Sequence, residues 1–222
     1  MQSDYRVEYS TNGVPKVFEF YLFVNPLGQK CFRCEQEINK ITALISAKID
    51  VHILCYQNQY IVSEFMRQLN LDERDLTSRN HIYRMVYLAS LAYKAATMQG
   101  KKKGRAFLMR MQEQIKGRLE RFSDDFVIEL AEEIGLDIPT FIDDLHSDYA
   151  KHLVQKDQQI AHGMHVDITP ALVIFEHRLG ENGLLLEGSF SAQTILSQLD
   201  QLVEEGYQEK MKKTELPPLR LL

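Results

Sequence analysis

Two short, densely apolar segments lie near opposite ends of the chain and constrain its fold more than any other feature. The first is Val17–Asn25 (VFEFYLFVN), which is followed by Pro26, and the second is Ala171–Phe175 (ALVIF). Runs with so few polar residues are typical of strands buried on both faces of a parallel or mixed sheet. We therefore predict that the two segments lie side by side in one continuous sheet.

A helix and another strand are predicted directly after the first apolar segment. Residues 31–49 have the apolar spacing of an amphipathic helix, and Val51–Tyr56 (VHILCY) has the composition of a strand. Strand, helix and strand in this order form a βαβ unit, whose crossover is right-handed in almost every known case. The predicted apolar face of the helix consists of Cys34, Ile38, Ile41 and Ile45.

The middle of the chain, residues 61–163, is predicted to be helical almost throughout. Within it, Gly100–Gly104 (GKKKG) is interpreted as a charged turn, and Gly135 as the residue that ends a helix. Asp137 and Pro139 have the side chains that favour the start of the next helix. The pattern therefore indicates a large helical block between the two apolar segments.

The last part of the chain returns to strands before a final helix. Asn182-Gly183 predicts a tight hairpin turn, and Ser191 is placed to cap the helix. The order β-α-β, helical block, β-β-α predicts an α/β protein with a thioredoxin-like fold and a large helical insertion. We predict a discontinuous thioredoxin-like domain of residues 1–60 and 164–210, an inserted helical domain of residues 61–163, and a C-terminal tail of residues 211–222.

Charge and composition narrow the class of function. The chain has 222 residues, with 26 Lys and Arg against 31 Asp and Glu, so its formal net charge is −5. This balance argues against a dedicated nucleic-acid-binding protein, which usually carries a basic excess. Because neither a signal-peptide core nor a long apolar run is present, we expect a cytoplasmic protein without a membrane partner. The sequence does not indicate the oligomeric state.

The three cysteines suggest two alternative roles. Cys31 and Cys34 form a CxxC motif at a predicted helix N-terminus, where the helix dipole favours the thiolate needed for redox chemistry. Alternatively, Cys34 is a small apolar member of the helix face. Cys55, which lies in the middle of a predicted strand, is expected to be a core residue.

The dipeptide Thr169-Pro170 precedes the second apolar segment and is a second candidate site. A cis peptide bond there would place the backbone of residue 169 beside the helix that begins near Cys31, where it could dock an extended substrate chain. A trans proline that only starts a strand is the alternative, and it is the commoner form. The pair His162 and His165 lacks neighbouring ligands, so we predict neither a metal nor another cofactor.

Several segments resemble one family closely. The arrangement of strand, CxxC helix, helical block and X-Pro strand is similar to the DsbA-like branch of the thioredoxin superfamily. Within that branch, segments spread over residues 17–220 resemble the YjbH/SpxH family. They include VFEFYLFVNPL, LAYKAATMQGKKKGRAFLMRMQEQI, AEEIGLDIPTFIDDLHSDYAKHL, ITPALVIFE and LEGSFSAQTI.

The resemblance implies an adaptor function. Members of this family bind the redox-stress regulator Spx and accelerate its degradation by the ClpXP protease in the cytoplasm. Where members have a CxxC, its two cysteines correspond to Gly28 and Cys31 here, so the CxxC of this chain is displaced by one helical turn. The N-terminus also lacks the His- and Cys-rich composition of better-known members, and we expect this chain to differ from them in lacking a C-terminal extension after Leu222.

Three hypotheses follow from the sequence. The first is a non-enzymatic adaptor with Spx and ClpXP as protein partners. The second is a DsbA-like thiol–disulfide oxidoreductase or isomerase, in which Cys31 and Cys34 exchange disulfides and Thr169 and Pro170 dock the substrate. The third is a non-catalytic redox sensor, in which oxidation of Cys31 changes the binding of a partner.

Overall fold

A computed structural model describes residues 9–11, 14–116, 118–177 and 183–214. The strands are β1 (Ser10–Thr11), β2 (Val14–Pro15), β3 (Val17–Val24), β4 (Lys48–Cys55), β5 (Ala171–Glu176) and β6 (Leu184–Glu187). The first helices are α1 (Gln29–Leu44), α2 (Gln59–Gln68), α3 (Leu76–Met98) and α4 (Lys101–Ile115). After a 3₁₀ turn at Leu119–Arg121 come α5 (Asp124–Glu133), α6 (Ile138–His146), α7 (Asp148–Gly163) and α8 (Ala192–Thr214).

The central sheet has the strand order β4-β3-β5-β6. Strand β3 pairs in parallel with β4, so that Phe20 lies opposite Val51, and antiparallel with β5, so that Phe20 also lies opposite Ile174. Strands β5 and β6 are antiparallel. The two apolar segments are therefore neighbours in one sheet, and the predicted thioredoxin-like α/β fold with its DsbA-like helical insertion is confirmed.

The sheet separates two apolar clusters. Phe20 and Leu22 point to the larger cluster, which lies under α1, α3, α4 and α8, whereas Phe23 points to the smaller one, where Ala161 of α7 packs. This alternation follows from the two-residue period of a strand. It explains why β3 has almost no polar residue, since both of its faces are covered.

Several local predictions are confirmed at the ends of helices. Gly135, the second residue after the end of α5, has φ of 72°, a conformation that glycine adopts without steric cost. The Asp137 carboxylate accepts a hydrogen bond from the amide of Thr140 at 2.9 Å, and Ser191 Oγ accepts one from the amide of Thr194 at 3.1 Å. The predicted turn residue Asn182 lies outside the described residues.

Two local predictions are wrong. The helix that contains the CxxC ends at Leu44 rather than near Ile49, because the alternating residues from Lys48 onward extend β4. The segment Gly100–Gly104 is not a turn as a whole: Gly100, with φ of 130°, makes the turn alone and α4 begins at the next residue. Lysine is a good helix former, and Gly104 lies inside the helix where α3 approaches closely.

Candidate functional site: a groove beside Cys31 and Pro170

A short loop between β3 and α1 positions the first candidate cysteine. The Asn25 side chain accepts a hydrogen bond from the amide of Leu27 at 3.0 Å, and its carbonyl accepts one from the amide of Gly28 at 2.9 Å. These bonds reverse the chain direction within a few residues, as Asx turns do. Helix α1 therefore begins at Gln29 and places Cys31 in its first turn.

Cys31 is a buried thiol with fixed hydrogen bonds. The side chain is 2% exposed, and its Sγ accepts a hydrogen bond from the amide of Asn25 at 3.3 Å and another from the Thr169 side chain. Burial raises the pKa of the Cys31 thiol well above its usual range, although both hydrogen bonds act in the opposite direction. The thiolate character expected from the helix N-terminus is therefore outweighed by the loss of solvation.

The other two cysteines are also buried and free. Burial raises the pKa of Cys34, which packs in the core with Ile38 and Ile41 and does not line the groove. Burial raises the pKa of Cys55 to about 12. The expected core role of Cys55 agrees with its 1% exposure.

The Thr169-Pro170 peptide bond is cis, the less common of the two forms considered from the sequence. The carbonyl of Pro170 accepts a hydrogen bond from the amide of Gly188 at 2.9 Å, which fixes this backbone against the loop after β6. The structure therefore brings together three of the four candidate residues, namely Cys31, Thr169 and Pro170, at one groove.

The groove itself has a volume of about 180 Å³ and a mixed lining. The residues that define it are Gly28, Cys31, Tyr60, Phe65, Thr169 and Pro170. Sequence reasoning missed Tyr60, although an exposed tyrosine in the first turn of a helix is a recognisable signal for a binding surface. Glu64 and Lys30 add charge at the rim, where their side chains lie 3.5 Å apart.

Gly28 lies close to the Cys31 thiol, at the position where the family resemblance predicted the first cysteine of a CxxC. A Cβ placed on Gly28 would be 3.3 Å from Cys31 Sγ. Because Gly28 has no side chain, however, no thiol occupies this position. Among the described residues that line the groove, the one thiol is that of Cys31, which is buried and protonated. The arrangement can hold an extended chain against Thr169 and Pro170, but it presents no reactive thiolate to that chain.

The described residues offer no group of three or more His, Cys, Asp and Glu side chains arranged to hold a metal ion. The Nδ1 of His162 lies 2.7 Å from the carbonyl oxygen of Gln158, and its ring packs edge-on against Tyr56. Among the same residues, no helix combines the length and apolar character needed to cross a bilayer.

Comparisons with known proteins place this geometry in a family. A family model described as thioredoxin matches residues 21–197. A putative protein disulfide isomerase from Nitrosomonas europaea has a similar structure, with a TM-score of 0.58 and 15% identity over 86% of this chain and 98% of that one. The oxidoreductase DsbA from Xylella fastidiosa also has a TM-score of 0.58, with 13% identity over 92% of both chains. The chain belongs to the thioredoxin family and has its DsbA-like fold.

A relative identified by sequence shows to which branch of the thioredoxin family the chain belongs. The protein named ClpXP adapter protein SpxH from Bacillus subtilis is 31% identical to this chain, over 92% of the chain and 72% of the relative. Together with the thioredoxin match, this identity shows that the chain is a member of the SpxH family, as its sequence segments predicted.

Proposed function

We propose that the chain is a cytoplasmic adaptor that binds the regulator Spx and promotes its degradation by ClpXP. The proposal rests first on the Bacillus subtilis relative, which is named a ClpXP adapter protein. In this function the protein binds two protein partners and carries out no reaction of its own, so it needs no cofactor.

The observation that carries the proposal is the glycine at position 28. A thioredoxin-like groove with Gly28 in place of a thiol retains the surface that holds a peptide but lacks the exposed nucleophile of disulfide exchange. Cys31, buried and protonated, then contributes packing and a hydrogen-bond acceptor to the wall of the groove. Such a site is suited to binding without chemistry.

The aromatic residue at the rim gives this binding an anchor. Tyr60 is 56% exposed and lies beside the groove, where its ring can be covered by a bound chain. Aromatic residues of this kind supply much of the binding energy of protein interfaces. We propose that part of Spx docks in the groove and covers Tyr60.

The experiment is reconstituted proteolysis of Spx by ClpXP with and without the protein. We expect degradation to accelerate with the wild-type chain and to lose most of that acceleration with Tyr60→Ala. Tyr149→Ala is the matched control, since Tyr149 is similarly exposed but lies on α7 outside the groove. An unchanged rate of Spx loss in the presence of the wild-type protein would remove the adaptor proposal.

A thiol–disulfide oxidoreductase is the second candidate, favoured by the position of Cys31 beside the cis Thr169-Pro170 bond. It requires at least one thiol that reacts readily at neutral pH. The raised pKa of all three thiols argues against this requirement. Alkylation of the native protein at neutral pH distinguishes the candidates: labelling of Cys31 or Cys34 faster than a free thiol would support the enzyme.

A further inference from the structure

A second and larger groove runs along the outer edge of β4. It has a volume of about 730 Å³ and lies between this strand and the facing parts of α3, α4 and α7. None of its lining residues belongs to the groove beside Cys31. It is therefore a separate surface, and the function proposed above does not use it.

Backbone geometry shows which residues of β4 face this groove. The amide of Lys48 bonds to the carbonyl of Lys16 at 3.1 Å, and the amide just beyond the strand, that of Tyr56, bonds to the carbonyl of Val24 at 3.0 Å. Both bonds point toward β3. Because hydrogen-bonding direction alternates along a strand, the backbone groups of Ile49, Val51, Ile53 and Cys55 point outward.

Side chains of the helical block close one half of this outward edge. The Asp157 carboxylate accepts a hydrogen bond from the amide of Cys55 at 2.8 Å, and the Gln158 side chain donates one to the carbonyl of Cys55 at 2.8 Å. The Tyr93 hydroxyl donates to the carbonyl of Ile53 at 3.3 Å. No strand can therefore pair with the C-terminal half of β4.

The other half of the edge is open. No hydrogen bond from the described residues reaches the outward backbone groups of Ile49 and Val51. Both residues are half-buried, so their side chains lie partly in the core while their outward amides and carbonyls face the groove. An unpaired edge of this kind is a template for an added strand.

The groove carries an excess of positive charge in a chain whose net charge is negative. Its lining includes five cationic residues against two carboxylates. The cationic residues are Lys94, Lys101, Lys102, Arg105 and Lys156. Asp157 neutralises Lys94 at 2.6 Å, and Asp50 lies 3.9 Å from Lys101. Lys102, Arg105 and Lys156 form no salt bridge among the described residues, although Lys156 acts electrostatically on Asp157 and Arg105 on the buried Glu35.

The Arg105 side chain has donors that lack a hydrogen-bond acceptor among the described residues. Its Nε and one terminal nitrogen, Nη2, are shielded from solvent, and neither has a hydrogen-bond partner among the described residues. Shielded donors are normally bonded, and a guanidinium pairs best with a carboxylate. The groove therefore combines an open strand edge with a lining arginine whose guanidinium keeps spare hydrogen-bonding capacity among the described residues.

We propose that this groove binds an extended acidic segment of a partner protein, which adds to β4 as a strand beside Ile49 and Val51. Main-chain hydrogen bonds to the open edge supply the docking geometry, and carboxylates of the segment pair with Arg105, Lys102 and Lys156. The binding mode is strand addition with charge selection.

The test uses the full chain and a fluorescein-labelled peptide of nine residues in which glutamate and valine alternate. We expect saturable binding, measured by fluorescence anisotropy, that weakens as salt is added. A peptide with lysine in place of glutamate should not bind. Weaker binding of the acidic peptide than of an oligothymidine probe would overturn the proposal, since it would make the groove a nucleic-acid site.

Two neighbouring lysines provide a matched pair of variants. Lys102→Glu changes a residue that lines the groove and should weaken peptide binding about tenfold or more. Lys103→Glu makes the same charge change one residue later, where the side chain bonds to the carbonyl of Gly135 instead, and should leave binding within about twofold. If both variants lost peptide affinity equally, the effect would come from the net charge of the protein and not from the groove, and the proposed binding site would be contradicted.

The strand-addition step has its own test. Val51→Pro removes an outward amide while leaving the bonds toward β3 in place, which proline permits at a sheet edge. It should abolish binding of the acidic peptide. If this variant does not fold, a peptide with methylated backbone amides gives the same information, and undiminished binding of that peptide would refute strand addition.

Discussion

Cys31 Sγ lies 3.3 Å from the place where a Cβ on Gly28 would be, which is close to the separation found between Cβ and the second sulfur of a disulfide. One substitution should therefore rebuild a dithiol at this site. The backbone at Gly28 is thus already placed for a second thiol beside Cys31.

We predict that Gly28→Cys forms a disulfide with Cys31 under mild oxidation. Gly28 has a φ of −83°, so the backbone accepts a side chain, although the carbonyl of Asn25 at 3.2 Å must shift slightly. The measurement is peptide mapping by mass spectrometry after alkylation of the remaining thiols. Gly163→Cys is the control, because a Cβ there meets no atom within 4 Å and so no cysteine partner. Recovery of residues 28 and 31 as free thiols after oxidation would contradict the geometry.

Gly104→Ala should destabilise the protein, although alanine is the better helix former. A Cβ at Gly104 would lie 2.2 Å from Thr97 Oγ1 and 2.8 Å from Thr97 Cα, so α3 and α4 would have to move apart. We expect a loss of about 1–3 kcal/mol in the free energy of unfolding, measured with urea. Gly163→Ala, which meets open space, should change it by less than about 0.5 kcal/mol. Equal stability of the two variants would show that the helices are not in close contact.

The buried ion pair of Lys94 and Asp157 should be costly to break. The two side chains are 2.6 Å apart, and the same carboxylate also accepts the amide of Cys55. Asp157→Asn keeps an acceptor but leaves the Lys94 charge unpaired, which should cost about 3–5 kcal/mol of unfolding free energy. Combining it with Lys94→Met should recover part of that loss. A double variant less stable than Asp157→Asn alone would rule out this explanation.

Glu35 should make stability fall as pH rises. Burial raises the pKa of this carboxyl to about 8, although the bond from Gln112 at 2.8 Å favours the charged form. Because the folded state keeps its proton longer than the unfolded state, stability decreases with pH between the unfolded value of 4.5 and about 8, and is constant above that. We therefore expect Glu35→Gln to gain stability relative to the wild type across this window.

Glu37→Gln is the control for that prediction because its effect has the opposite sign. The bond from Lys40 lowers the pKa of Glu37, so the wild-type residue stabilises the fold above its unfolded pKa and loses this contribution as pH falls. The measurement is urea unfolding at several values from about pH 3 to about pH 9, a range that covers the windows of both carboxyl groups. A pH-independent difference between the wild type and Glu35→Gln would mean that Glu35 is not buried as a neutral acid.

The order of strands and helices was predictable because buried positions recur at regular intervals along each element, and the spacing of apolar residues in the sequence shows those intervals. Val17–Asn25 and Ala171–Phe175 are apolar on both faces, and only the interior of a sheet accommodates such segments. Residues 61–163 repeat apolar positions at helical spacing, so α2–α7 follow from that pattern. The helix ends at Gly135 and Asp137 were predictable because helix capping depends on the backbone conformation and hydrogen bonds of residues close in sequence.

The details of the site were not predictable in the same way, since they depend on residues distant in sequence. Asp157 caps the amide of Cys55 from the other end of the helical block, and no local pattern marks that role. Gly104 resembles a turn residue in sequence, but its place is set by the approach of Thr97. The burial of Cys31, and with it the direction of its pKa shift, depends on how the Thr169 loop packs.

The partly closed edge of β4 also bears on self-association of the protein. Exposed strands commonly recruit one another and so start polymers. Among the described residues of β4, the unblocked stretch spans only Ile49 and Val51. If two molecules paired through this edge, the cationic residues around it would face the same cationic residues of the second molecule. We therefore expect mutual repulsion to keep identical neighbours away from the backbone groups that we propose bind an acidic chain.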